Sequence, residues 1–176
     1  MALERGVRRL VLLYSVINAF GGIPLLYMGD ELAMRNDAGY LDDPERAPDN
    51  RWMHRPPMDW AAAARRSDPT SLEGRVFGAL QRLGNARRTL PVLRGGGECS
   101  VFDVGNPAVL AWRRRNARSG TFVGLANMNP TTQVVDADTV TGFGSFEAVL
   151  TSDGPPDIRD GRLLLPGLGY AWFAEP

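Results

Sequence analysis

Apolar residues near the start of the chain recur at helical spacing. The positions that define this period are Leu3, Val7, Leu10, Val11 and Tyr14. Apolar side chains then continue on most sides of the helix as far as Phe20. The pattern predicts a largely buried helix, and the glycine pair Gly21 and Gly22 is a typical helix terminator.

A short apolar run at residues 23–28 follows these glycines and leads into Asp30 and Glu31. Continuous runs of this length are typical of strands buried on both faces, as in a parallel sheet. The sequence therefore predicts the αβ step of a covered sheet or barrel, with the two carboxylates at the carboxyl end of the strand. Adjacent residues of an extended chain point to opposite sides, so the alternative is that one carboxylate caps a turn and the other pairs with an arginine.

Residues 33–68 show no sustained period and are rich in Asn, Asp, Pro and Arg. Because Tyr40, Trp52 and Trp60 lie within this segment, we predict a long structured loop rather than disorder. Residues 61–66 are compatible with a short helical turn.

The next segment, from Ser71 to about Thr89, has the apolar spacing of an amphipathic helix. Residues 70–73 resemble the start of a capping box, with Ser71 or Thr70 near the cap and Glu73 at the third position if Thr70 is the cap. Pro91 and three consecutive glycines end the helix and mark the predicted domain boundary, which divides the chain into residues 1–94 and 95–176.

Short runs typical of strands, separated by turn residues, fill the second part of the chain. They are Cys99–Val104, Ala108–Arg113, Thr121–Asn127, Gln133–Ala137, Phe146–Leu150, Arg162–Leu165 and Tyr170–Ala174. Their regular spacing predicts an antiparallel β-sandwich. Trp112 and Trp172 alternate with apolar neighbours, so we assign both to its core.

Charge and cysteine content exclude several classes of protein. The 20 basic and 20 acidic residues cancel, so no long-range field attracts nucleic acid or an anionic membrane. The apolar run at the N-terminus resembles a secretory signal, but Asn18 interrupts it and the run is too short to span a bilayer. One cysteine, Cys99, permits no internal disulfide and favours a reducing, cytoplasmic location. Neither a cofactor motif nor a second metal-binding partner for His54 occurs, so we expect no cofactor and no metal.

The best candidate for chemistry is the segment at residues 49–56, which contains Arg51, His54 and Arg55 beside Trp52. Aromatic faces stack on sugar rings and arginine donates hydrogen bonds to hydroxyl groups, so this composition suits a saccharide site. The same residues can also serve to tie down a long loop, and residue types alone leave both interpretations open.

Two segments resemble a known family. Residues 21–31 are similar to the Gly-Ile-Pro-x-x-Tyr-x-Gly-Asp/Glu-Glu sequence at the eighth barrel strand of the α-amylase superfamily, glycoside hydrolase family 13. Residues 49–56 resemble the Asp-x-Arg-Trp-x-His-Arg-Pro segment of its amylosucrase branch. The resemblance implies an α+β fragment. Residues 1–94 would be helix seven, strand eight, the long loop and helix eight of a (β/α)8 barrel, and residues 95–176 the antiparallel β-sandwich called domain C.

The resemblance also implies a function for the complete enzyme, which would transfer glucosyl units from sucrose to an α-glucan and release fructose. Arg51 would border the glucose pocket, and Asp30 and His54 are further candidates for substrate binding. The three catalytic carboxylates of the family lie on barrel strands four, five and seven, and none of them matches a residue of this chain. We therefore assign no catalytic residue and expect the chain alone to be inactive.

Several alternatives share these features. A related α-glucosidase, sucrose hydrolase, sucrose phosphorylase or trehalose synthase has the same fold, whereas a non-catalytic carbohydrate-binding module or a degenerate gene remnant would need no active site at all. A helix and a strand without the rest of a barrel expose apolar surface. We therefore expect a homodimer that covers the segment from Leu10 to Met28.

Overall fold

The computed structural model describes residues 2–176. The α-helices are α1 (Ala2–Phe20), α2 (Trp60–Ala64), α3 (Leu72–Thr89) and α4 (Asp138–Thr141). The strands are β1 (Glu98–Phe102), β2 (Val109–Asn116), β3 (Gly120–Asn127), β4 (Gln133–Asp136), β5 (Glu147–Thr151), β6 (Asp157–Arg159), β7 (Arg162–Leu165) and β8 (Tyr170–Ala174). Short 3₁₀ helices lie at Asp30–Leu32, Ala38–Asp42, Asn50–His54, Arg65–Ser67 and Pro91–Leu93.

Two compact units make up the chain. One is Leu26–Ala79, and the other combines the residues up to Leu25 with Leu80–Pro176. This division differs from the predicted boundary at residue 94, because α1 packs against β3 and Arg87 of α3 donates a hydrogen bond to Asn18 of α1. The first helix and the end of α3 thus belong with the strands.

The strands form two antiparallel sheets, one with the order β1-β2-β3-β8-β5 and one with the order β4-β7-β6. The antiparallel sandwich predicted from the strand spacing is therefore confirmed. All seven predicted strands form, with ends shifted by a few residues. Strand β6 was not predicted because its three residues carry no apolar alternation.

A hydrophobic core fills the space between the sheets. Its buried members are Val104, Val109, Ala111, Val123, Leu125, Val135, Val140, Leu163, Leu165, Ala171 and Phe173. Residues that alternate with these on β2, β3 and β8 face the opposite side of the larger sheet. All five residues of β8 are buried, so both faces of this strand are covered.

An aromatic layer, formed by Trp112, Phe122 and Trp172, lies on that opposite side. The three side chains are fully buried, which confirms the assignment of both tryptophans to the core. Ring centroids are 6.3 Å apart for Trp112 and Phe122 and 5.7 Å apart for Phe122 and Trp172. Gly124 faces Trp112 across the β2–β3 pair, where a side chain would occupy the space of the indole.

Helix α1 covers part of the aromatic layer with its C-terminal end. The indole nitrogen Nε1 of Trp112 donates to the carbonyl oxygen of Ala19 over 3.2 Å, and the rings of Phe20 and Trp112 are 6.2 Å apart. Arg87 donates to the carbonyl oxygens of Asn18 and Gly22. The bonds to Asn18 and Ala19 satisfy backbone acceptors that a helix end leaves without an internal partner, and the bond to Gly22 holds the chain just beyond the helix.

The prediction that α1 is largely buried is correct for one side only. Val7, Leu12 and Tyr14 are buried, whereas Leu13 and Ile17 are 53% and 41% exposed. The helix therefore has a second apolar face that no described residue covers.

The predicted buried strand at residues 23–28 does not form. Ile23 is 96% exposed and Leu25 is 74% exposed. A strand exists only when a neighbouring strand accepts its hydrogen bonds, and within residues 2–176 no strand pairs with this run.

The long loop is ordered by aspartate side chains that accept hydrogen bonds from backbone amides. The pairs are Asp37 with Gly39, Asp49 with Arg51, Asp59 with Ala62, and Asp68 with Thr70. Such local caps offer the backbone an alternative to regular structure, which explains how a segment without periodicity is structured. The predicted helical turn at residues 61–66 corresponds to α2 and the 3₁₀ helix after it.

The cap of α3 is Ser71, one of the two residues that the sequence offered for this position. The hydroxyl oxygen of Ser71, not that of Thr70, accepts from the amide of Gly74 over 2.9 Å. Glu73 forms an ion pair with Arg65. Between residues 2 and 176, none of the helices is both long and apolar enough to cross a membrane.

We predict that Gly124→Ala destabilises the protein. The added methyl carbon would lie 2.2 Å from the nearest atom of the Trp112 indole, and overpacking of this kind costs about 2 kcal/mol. Thermal unfolding measures the effect. The matched control is Gly84→Ala, at an exposed helix position with no atom within 4 Å of the new carbon, which should stabilise by about 0.5–1 kcal/mol. Equal unfolding temperatures for the two variants would contradict the packing described here.

Candidate functional site

A solvent-accessible cleft of about 370 Å³ lies within the compact unit Leu26–Ala79. Residues 27–30, 34–36 and 54–56 line it together with Arg51. Clefts of this volume are typical of sites for small ligands.

One wall of the cleft is a tight backbone turn around Gly29. This glycine has a φ of 99°, and its carbonyl oxygen accepts from the amides of Leu32 and Met34 over 3.1 and 3.0 Å. The amide of Gly29 donates to the Glu31 carboxylate over 2.8 Å. The turn therefore separates the two adjacent carboxylates, because Glu31 closes the turn while Asp30 lines the cleft. The interpretation in which one of them is a cap is correct for Glu31.

The second wall is the 3₁₀ helix Asn50–His54, which begins at an aspartate cap. The Asp49 carboxylate accepts from the amide of Arg51 over 3.0 Å and from two guanidinium nitrogens of the same residue over 2.7–2.9 Å. Hydrogen bonds from Arg51 lower the pKa of Asp49 to about 2, and the carboxylate in turn raises the pKa of Arg51. The cap thus also fixes the direction of the Arg51 side chain.

Two hydrogen bonds connect the walls. The amide of Asp37 donates to the carbonyl oxygen of Met53 over 2.8 Å, and Nδ1 of His54 lies 3.2 Å from the side-chain oxygen Oδ1 of Asn36. Because an amide oxygen only accepts, this contact requires the proton on Nδ1 of His54 and leaves Nε2 as an acceptor in the neutral ring. Asn36 therefore orients the histidine at the cleft.

Asp30, Arg51 and His54, the three residues that the sequence singled out for binding, all line this one cleft. Sequence reasoning did not assign a role to Arg35 or Asn36, which also line it. Their position five and six residues after Asp30, in a segment rich in turn residues, was the available signal. Trp52 does not line the cleft, and its ring lies 4.8 Å from the guanidinium carbon of Arg46. Within residues 2–176, no cluster of three His, Cys, Asp or Glu side chains is arranged to hold a metal ion.

Solved structures of a trehalulose synthase have a fold similar to that of this chain. No family model matches the sequence. The trehalulose synthase MutB from Pseudomonas mesoacidophila MX-45 is 19% identical over 95% of this chain, with a TM-score of 0.68. A variant of MutB in complex with the substrate sucrose is 19% identical over 94% of the chain, again with a TM-score of 0.68. An inactive double mutant in complex with isomaltulose is 18% identical over 94%, with a TM-score of 0.68.

This chain spans 38% of the length of each of these MutB chains. At such identities the likeness establishes the fold. It confirms the predicted fold class, an α+β arrangement in which helical segments like those at the end of a (β/α)8 barrel precede an antiparallel β-sandwich.

We predict that Arg51→Gln raises the pKa of Asp49 from about 2 towards its ordinary value of 3.8. In the folded protein the pairing lowers this pKa, so its contribution to stability is present above pH 3.8 and is lost as the pH falls through about 2. The measurement is an NMR titration of the Asp49 carboxyl carbon. Arg46→Gln is the control, because Arg46 pairs with Asp43 and should leave the titration of Asp49 unchanged. An Asp49 pKa that stays at about 2 in Arg51→Gln would refute the conclusion that hydrogen bonds from the Arg51 side chain lower it.

Proposed function

We propose that this chain is part of a sucrose-using enzyme of the α-amylase superfamily, similar to amylosucrase, and that it carries one side of the saccharide pocket. The observation that supports this most directly is that Asp30, Arg51 and His54 line a single cleft. The fold shared with MutB, which has been determined in complex with its substrate sucrose, supports the same class of ligand. The complete enzyme would transfer a glucosyl unit from sucrose to an α-glucan and release fructose, in the cytoplasm.

The cleft offers the mixture of donors and acceptors that sugar hydroxyls require. Asp49 accepts hydrogen bonds from Nε and one terminal nitrogen of Arg51. The other terminal nitrogen can therefore donate to a hydroxyl oxygen. Nε2 of His54, oriented by Asn36, and the carboxylate of Asp30 can accept from hydroxyl groups. Because its own loop fixes Arg51, little side-chain entropy is lost when a sugar binds.

Binding by these residues does not amount to catalysis. A retaining mechanism needs two carboxyl groups about 5 Å apart on opposite sides of the scissile bond. The resemblance to amylosucrase assigns these groups to barrel strands that this chain does not contain. The chain by itself should therefore bind saccharide without turning it over.

A second candidate reaction is favoured by the structural similarity to trehalulose synthase. In that case the complete enzyme would convert sucrose to trehalulose instead of elongating an α-glucan. Both reactions use the same donor and the same kind of cleft, so product analysis of a complete enzyme, by chromatography with and without an α-glucan acceptor, distinguishes them.

We expect the chain to bind sucrose in isothermal titration calorimetry and to release no fructose from it. Arg51→Ala should weaken binding about tenfold or more, because a hydrogen bond from a charged donor contributes about 1.5–3 kcal/mol. Arg66→Ala is the matched control, since Arg66 bonds only to a backbone carbonyl of its own turn and does not line the cleft. Titrations with glucose and maltooligosaccharides test whether the chain also binds the α-glucan that accepts the glucosyl unit. Absence of any saccharide binding would refute the proposal, and fructose release would refute the assignment of catalysis to other strands.

We also propose that the chain self-associates through the apolar segment between Leu10 and Met28. Leu13, Ile17 and Phe20 form an exposed stripe on α1, and the run that follows is more exposed still. Contiguous apolar surface of this kind is typical of interfaces.

Sedimentation velocity should therefore show a dimer that Ile17→Glu converts to a monomer, because a buried unpaired carboxylate is strongly unfavourable. The control Arg118→Glu places the same charge in an exposed turn of the β-sandwich and should leave the dimer intact. A monomer at high protein concentration would exclude this interface.

A further inference from the structure

The cleft has an apolar side as well as a polar one. Its polar groups belong mainly to Asp30, Arg51 and His54. Tyr27 and Met28, at the start of the turn wall, line the same cleft and are 45% and 57% exposed. The polar groups match the hydroxyl groups of a sugar and leave this apolar side without a role.

Tyr27 is the aromatic residue that the cleft offers to a ligand. Of the described residues that line the cleft, it has the only benzene ring. Trp52, which the sequence suggested for stacking on a sugar, lies outside the cleft with its ring against the guanidinium group of Arg46. Trp60 is 77% exposed and also lies outside the cleft. A stacking contact in this cleft would therefore fall to Tyr27.

The turn around Gly29 fixes the backbone of Tyr27 relative to the polar groups. The carbonyl oxygen of Tyr27 accepts from the amide of Asp30 over 3.1 Å. The Met34 side chain packs against the turn, so closely that a methyl carbon added at Gly29 would lie 3.0 Å from its sulfur. One hydrogen-bonded turn thus carries both an aromatic ring and an acceptor carboxylate, and a wall ordered before binding loses little conformational entropy when a ligand arrives.

A sugar ring in its chair form presents two kinds of surface. Hydroxyl groups point outward around the rim, whereas C–H bonds on the faces of the ring form small apolar patches. An aromatic face that covers such a patch removes apolar surface from water and places polarised C–H bonds on the negative face of the aromatic ring. An acyclic polyol carries similar hydroxyl groups but has no fixed apolar face.

We propose that Tyr27 is the stacking platform of the saccharide subsite and that it makes the cleft selective for a pyranose ring over an acyclic polyol. One face of the pyranose lies on Tyr27, and the hydroxyl groups at its rim bond to Arg51, His54 and Asp30. The class of ligand rests on the proposed function, whereas the role of Tyr27 rests on its place in the cleft.

Isothermal titration calorimetry with sucrose, methyl α-D-glucopyranoside and sorbitol tests the platform. The parent chain should bind both sugars more tightly than sorbitol. Tyr27→Leu should weaken binding of the sugars about fivefold and leave sorbitol unchanged, whereas Tyr27→Phe keeps the ring and should bind as the parent does. The matched control is Trp60→Leu, which removes an exposed aromatic ring from the same compact unit but outside the cleft, and it should have no effect.

Proton NMR of methyl α-D-glucopyranoside provides a signal that a purely structural role of Tyr27 would not produce. Stacking on an aromatic face shifts the resonances of the C–H protons on that side of the sugar upfield through the ring current. The shift should appear with the parent chain and with Tyr27→Phe, and it should disappear with Tyr27→Leu. The measurement on the parent chain needs no variant to fold.

The outcomes separate the platform from the proposed function. A weaker sugar affinity in Tyr27→Leu, together with loss of the upfield shift, supports the platform. Sugar binding that Tyr27→Leu leaves unchanged, sugar binding without an upfield shift in the parent chain, or equal affinity for sorbitol overturns the platform and leaves the proposed function standing. Absence of binding for both sugars overturns the platform and the proposed function together.

Discussion

The carbonyl groups at the C-terminal end of α1 depend on hydrogen-bond donors from distant parts of the chain. The packing of the larger sheet depends in turn on this end of the helix. A helix leaves its last four carbonyl groups without an internal partner, and burial of such groups without donors is costly. Here Nε1 of Trp112 donates to the carbonyl oxygen of Ala19, and Arg87 donates to that of Asn18. With these bonds made, α1 can lie on the aromatic layer, which would otherwise expose two tryptophans to water. The requirement extends into the sheet, where residue 124 must be a glycine to leave space for the indole of Trp112.

The unit Leu26–Ala79 is stabilised in a different way. It has few buried side chains, and much of its order comes from aspartates that accept hydrogen bonds from nearby backbone amides. Asp49 illustrates how this local chemistry creates a site, because one carboxylate starts a 3₁₀ helix and also holds the Arg51 guanidinium. The same loop turns His54 towards Asn36. A binding wall built from short-range hydrogen bonds keeps its geometry without a large core, as is common for functional loops.

The proposed saccharide subsite draws on a balance of donors and acceptors in one cleft. Arg51 supplies donors, whereas His54 and Asp30 supply acceptors. This mixture matches hydroxyl groups, each of which both donates and accepts a hydrogen bond.

The sequence by itself determined the elements whose pattern is local. Helical spacing defined α1 and α3, alternation and turn residues defined seven strands of the sandwich, and the segment around Arg51 pointed to the cleft. Apolar content alone did not determine the state of residues 23–28, which lack a neighbouring strand and are exposed, nor which face of α1 is buried. Likewise, the cap at Ser71 and the orientation of His54 follow from contacts that periodicity does not encode. The tertiary structure decided these points because strand pairing, hydrogen bonding at helix ends and side-chain direction depend on partners distant in sequence or on the path of the backbone. Periodicity records only how each position is placed relative to its near neighbours.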